Sequence, residues 1–106
     1  MPKQIFLRLQ KTSKELQKTI FKKIGNKTGD SIYVLLTYLL AECGEVADKA
    51  RALEGNRVKS SHINKDDLAR ELVDVIYNIM LIANFYGIEL DDYWNDRIDK
   101  IRQKFE

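Results

Sequence analysis

Apolar and polar residues alternate with helical periods along almost the whole chain. Ile5, Leu9, Leu16, Ile20 and Ile24 fall on one side of an amphipathic helix over residues 3–24. Pro2 suits its first turn and Gly25 its C-terminal stop. Residues 26–29 form a polar connector, and Asp30 or Ser31 caps a second helix running to about Leu53. Its apolar stripe is Ile32, Leu35, Leu39, Cys43, Val46, Ala50 and Leu53. The polar stretch 54–64 reads as a loop, after which Asn64 caps a third helix with the stripe Leu68, Leu72, Val75 and Ile79. That helix ends near Tyr86, with Gly87 just beyond. A last helix spans about Leu90 to Phe105 and packs through Tyr93 or Trp94, Ile98, Ile101 and Phe105. The expected fold is all-α, one domain over residues 1–106.

Two of these helices carry more apolar surface than one stripe needs. Residues 32–40 are apolar nearly all round, and Ile76, Tyr77, Ile79, Met80, Leu81 and Ile82 spread widely about the third helix. A helix apolar on every side is buried on every side. A chain of 106 residues with few helices lacks the cover, so the pattern implies a homo-oligomer.

Within the same two helices lie two pairs of carboxylates three residues apart: Glu42 with Glu45, and Glu71 with Asp74. Residues i and i+3 share a helix face. The acids sit one residue ahead of stripe positions, as does Asn78, on the edge of the buried face. If the stripes pack together, the acids converge. Like charges about 4 Å apart repel by roughly 4 kcal/mol at an effective dielectric near 20, which a hard divalent cation with oxygen ligands would relieve. Spacing alone leaves a second reading open, in which the pairs are solvated edges that never meet.

Composition adds limits. Eighteen Lys and Arg against sixteen acids give a net charge of +2. The distribution is uneven, with eight cations and one acid before residue 30. That basic segment could attract phosphates, or could be a solvated helix face. Cys43 is the lone cysteine and, on its stripe, is expected as a small buried hydrophobe. A single thiol and the lack of a signal peptide or long apolar run suggest a cytoplasmic protein without a membrane span. His62, with no second His or Cys nearby, is not expected to bind metal.

The motifs Ala41-Glu42-Cys43-Gly44-Glu45-Val46-Ala47-Asp48, Glu71-Leu72-Val73-Asp74-Val75-Ile76-Tyr77 and Gly87-Ile88-Glu89-Leu90 resemble the MazG-type all-α nucleoside triphosphate pyrophosphohydrolases. That superfamily includes dCTP pyrophosphatases and dimeric dUTPases. Its pattern is EExxE followed by ExxD; here Ala41 replaces the first Glu. The resemblance covers roughly residues 31–105 and implies a four-helix bundle completed by dimerisation or tetramerisation. It implies Mg²⁺, or Mn²⁺ in its place, held by Glu42, Glu45, Glu71 and Asp74. By the same resemblance the substrate is a (deoxy)nucleoside triphosphate, contacted by Asn78, Arg97 and Lys100, and hydrolysed to monophosphate and pyrophosphate. With the first Glu absent, Glu45 is the choice for the attacking water's proton.

A different class stays beside this one: a non-catalytic helical interaction or regulatory protein, binding nucleic acid through its basic N-terminal helix. It requires the four acids to be coincidental. Nucleic acid is therefore not the expected partner.

Overall fold

The computed structural model describes residues 4–25, 31–55 and 63–106. Four helices account for most of them: α1 (Ile5–Ile24), α2 (Ile32–Gly55), α3 (Lys65–Phe85) and α4 (Asp91–Phe105). The expected all-α class and the helix order hold. Pro2, residues 26–29, Asp30 and His62 lie outside the described residues.

The ends of the helices follow local chemistry. Asn64 Oδ1 accepts from the Asp66 and Asp67 amides at 2.9 and 3.2 Å, while Asp67 Oδ2 accepts from Asn64 N at 2.9 Å. This reciprocal box satisfies donors that the first turn leaves open. At the other end Gly87 takes a φ of 66°, as the left-handed position after a helix favours. Ile88 N then donates to Ala83 O and Gly87 N to Asn84 O.

Helix α2 packs along α3, α1 packs on α3 from another side, and α4 touches α1 alone. The core of a single chain is correspondingly small. Leu35, Met80, Leu81 and Ala83 are its buried apolar residues.

Helix α1 does not bury the side expected of it. Ile5, Leu9, Leu16, Ile20 and Ile24 are all exposed, while Gln10 and Ser13 are buried. The reason is a polar clamp. Gln10 Nε2 donates to Ile88 O at 2.7 Å and to Asn84 Oδ1 at 3.1 Å. Leu90 N donates to Gln10 Oε1 at 3.2 Å, and Asn84 Nδ2 to Gln10 O at 3.0 Å. These bonds tie the α3–α4 turn to α1 and set the rotation of α1 about its axis. A second tie is made by Asp91, whose carboxylate accepts from Phe6 N at 2.8 Å and Leu7 N at 3.0 Å. An acid at the head of α4 thus caps α1, where the positive end of the helix dipole adds to the attraction.

The packing face expected for α4 is also open. Tyr93, Trp94, Ile101 and Phe105 are exposed. Trp94 still meets the Phe6 ring at 5.3 Å between centroids. The start of α4 reaches α1 through Asp91 and Trp94, and among the described helices α4 has no other neighbour.

The chain as a whole exposes 8640 Å², against about 6,100 Å² for a compact monomer of this mass. Its radius of gyration is 16.8 Å, where about 13 Å is usual for this length. Tyr33 and Leu40, on the outer faces of the apolar first half of α2, are 79% and 73% exposed. Among the described residues no helix is long and apolar enough to cross a membrane.

Candidate metal centre

The seam between α2 and α3 decides where the acids go. On α2 the buried and half-buried positions include a row of Ile32, Leu35, Leu39, Glu42, Val46, Lys49 and Leu53, at alternating spacings of three and four, with Val34, Ala50 and Ala52 half-buried beside it. On α3 a matching row is Leu68, Glu71, Val75, Asn78 and Ile82, with Tyr77, Met80, Leu81, Ala83 and Asn84 also buried or half-buried beside it. Alternation of three and four is the pattern of helices lying nearly parallel or antiparallel along a common seam. The expected stripes therefore need correction. Cys43 is exposed rather than buried, and Leu72 and Ile79 are exposed rather than at the packing face. Glu42 and Glu71 take positions within the seam, not on its edge. The apolar stripe could be drawn through either neighbour because both helices are rich in apolar residues on several sides.

The seam thereby brings three acids together. Glu42 and Glu71 are half-buried and Asp74 stands at the exposed rim, and one carboxylate oxygen from each lies within 4.8 Å of the others. Glu45, one turn further along α2, is exposed and outside this group. Burial pushes the Glu42 carboxyl above its ordinary value, and so do the charge of Asp74, a hydrogen bond with Glu71 and the charges of Glu71 and Glu45. Every influence has the same sign because no cation among the described side chains sits against the cluster. Three hard oxygen donors, mutually repelling and open to solvent on one side, fit a divalent cation. Ligands on opposite sides of an ion such as Mg²⁺ are about 4 Å apart, so small side-chain rotations suffice to close the set.

Asn78, one turn beyond Asp74, is buried, and its Nδ2 donates to Asp74 O at 2.8 Å. It lines a cavity of about 300 Å³ between α1, α2 and α3, shared with Phe21, Leu35, Tyr38, Tyr77 and Leu81. Burial pushes the pKa of the Tyr77 phenol above its ordinary value, because the phenolate would lose its solvation. Helix α4 makes no contact with α2 or α3. Within one chain, Arg97 and Lys100 consequently stand apart from the carboxylates, and Lys100 pairs with Asp96 at 3.3 Å. Sequence reasoning missed Gln10, Asn84 and Asp91 as organisers of this geometry. The available signal was a pair of uncharged polar residues placed inside apolar helical patterns.

The fold and site define an all-α protein in which two antiparallel helices present clustered carboxylates from their shared seam. Residues 31–105 match the family model described as the MazG nucleotide pyrophosphohydrolase domain. The chain belongs to that family. It is similar to the uncharacterized protein YvdC of Bacillus subtilis (strain 168), at 32% identity over 80 residues, covering 70% of this chain and 76% of that relative. No solved structure matches it significantly.

Proposed function

We propose that the protein is a Mg²⁺-dependent, cytoplasmic nucleoside triphosphate pyrophosphohydrolase. Mn²⁺ would be accepted in place of Mg²⁺. Water attacks the α-phosphorus, the bond to the bridging oxygen of the β-phosphate breaks, and the products are a nucleoside monophosphate and pyrophosphate. The observation that carries this reading is the meeting of Glu42, Glu71 and Asp74 oxygens within 4.8 Å where α2 packs on α3. Membership of the nucleotide pyrophosphohydrolase family supports the substrate class.

When bound, the cation supplies charge neutralisation for the triphosphate and a more acidic water. Glu42, Glu71 and Asp74 hold it. Glu45, one turn along α2, would add a fourth carboxylate to the set and would accept the proton of the attacking water. Asn78 orients the nucleoside end of the substrate. Arg97 and Lys100 neutralise pyrophosphate from a second copy of the chain, since α4 does not reach the site in its own chain.

The same reading includes a homodimer, or a homotetramer built as a pair of dimers. The surface in excess of a compact monomer is about 2,500 Å² per chain, or about 5,000 Å² for a pair, at the upper end of what obligate interfaces bury in total. The test of function is pyrophosphate release measured across the ribo- and deoxyribonucleoside triphosphates, with Mg²⁺ and with EDTA. Metal-dependent release is expected; none from any triphosphate at neutral pH would overturn the reading.

A further inference from the structure

The cavity beside the carboxylates has a polarity that follows from one hydrogen bond. Asn78 is only 7% exposed, and its amide nitrogen is turned onto the Asp74 backbone carbonyl of its own helix at 2.8 Å. A backbone carbonyl can only accept, so the bond fixes which end of the side-chain amide faces it. The end left over is Oδ1, an acceptor, and it takes no hydrogen bond from other groups among the described residues. An unmatched acceptor in a buried setting is costly unless a ligand or water supplies a donor. Phe21, Tyr38 and Tyr77 give the same cavity aromatic walls. Tyrosine hydroxyls and the Gln17 side-chain amide, which also lines the cavity, can each donate or accept, so Asn78 is the group whose polarity a described hydrogen bond sets.

The position of the cavity says which part of a ligand it would receive. Asn78 lies four residues past Asp74, and Tyr38 four residues before Glu42, so both helices lead from the carboxylates to the cavity in one turn of about 6 Å. Its volume of about 300 Å³ is at the small end for ligand sites, and suits a single base with its sugar. Phosphates held at the carboxylates would leave the base to enter here.

We infer that this cavity takes the nucleobase and that Asn78 Oδ1 selects the bases with an amino group at pyrimidine C4 or purine C6, cytosine and adenine, over their oxo counterparts, uracil and hypoxanthine. The inference rests on the hydrolase reading for the placement of the phosphates. An amino group offers two N–H donors to the free acceptor. The oxo group offers lone pairs to it. The ring N–H of uracil lies between two carbonyl oxygens, which would be pressed against the same acceptor.

The test compares CMP with UMP and AMP with IMP by titration calorimetry on the full chain in Mg²⁺, alongside turnover of the four triphosphates. The amino member of each pair should bind roughly tenfold tighter or more. Asn78→Thr retains a donor for the Asp74 carbonyl, because a helical threonine hydroxyl bonds back one turn, but withdraws the acceptor from the cavity. Its preference should shrink to within about twofold, the factor lost being the scale of one hydrogen bond. Equal binding within each pair by the wild type, a preference for the oxo member, binding of none of the four, or a preference that survives in a folded Asn78→Thr protein would each overturn the inference. Mg²⁺-dependent turnover without amino preference would remove this inference and leave the hydrolase reading standing. Amino-selective binding without turnover of any triphosphate would do the reverse.

Discussion

Replacing Glu42 by Gln should make the metal-free protein more stable and abolish its response to Mg²⁺. Glu42 occupies the seam with oxygens of Glu71 and Asp74 within 4.8 Å. A like-charge pair at that distance costs about 0.9 kcal/mol in a water-like dielectric and about 3.5 kcal/mol at an effective value of 20. Asp74 is exposed and Glu71 half-buried, so solvent screens both pairs toward the lower figure. The two together give about 1–2 kcal/mol. For a domain of this size that is a rise in Tm of roughly 5–15 °C.

The pH dependence has a definite sign. The folded chain holds the Glu42 proton above its ordinary value of 4.5, so between that value and the raised one the folded state binds more protons than the unfolded state. Stability of the metal-free wild type therefore falls as pH rises through that window, and the loss persists above it. Glu42→Gln removes this dependence. Mg²⁺ at a hundred times its dissociation constant adds about 2.7 kcal/mol to the wild type and nothing comparable to the variant. The assay is urea denaturation followed by circular dichroism, in EDTA and in Mg²⁺, at acidic and neutral pH. Protein concentration is held fixed because association would add to stability. A variant less stable than wild type in EDTA, or one that gains as much from Mg²⁺, would refute the reasoning.

Glu71→Gln and Asp74→Asn should lower pyrophosphate release by at least about a hundredfold while the apo protein stays folded; full activity in either removes them as ligands. Asp91→Ala deletes the acceptor for Phe6 N and Leu7 N and should cost about 1–2 kcal/mol, read as a lower denaturation midpoint with unchanged slope. Leu81, 6% exposed, and Ile79, 39% exposed, make a matched pair. Leu81→Ala should cost about 2–5 kcal/mol and Ile79→Ala clearly less, unless the oligomer buries Ile79, in which case its cost should appear only where light scattering shows association. Sedimentation at micromolar concentration should find a dimer or larger species, and a stable, active monomer would contradict the argument from exposed apolar area.

The sequence by itself determined the helices, their order and most of their ends. These depend on local chemistry: the spacing of apolar residues, the Asn64–Asp67 box and the left-handed Gly87. It also determined that Glu42 and Glu45, and Glu71 and Asp74, share helix faces, because i and i+3 fix that within one element. Which face each helix turns inward was decided only by the tertiary structure. Helix α1 faces α3 with Gln10 and Ser13 in place of its leucines and isoleucines, because Gln10 can bond Ile88, Leu90 and Asn84 only in that rotation. The α2–α3 seam passes through Glu42 and Glu71 in place of Cys43 and Leu72. Where a helix is apolar on several sides, periodicity admits more than one seam, and the choice falls to hydrogen bonds and packing between residues far apart in the chain. The separation of Arg97 and Lys100 from the carboxylates has the same origin. It follows from where α4 docks, which the Asp91 carboxylate and the Phe6–Trp94 contact settle across more than eighty residues of intervening chain.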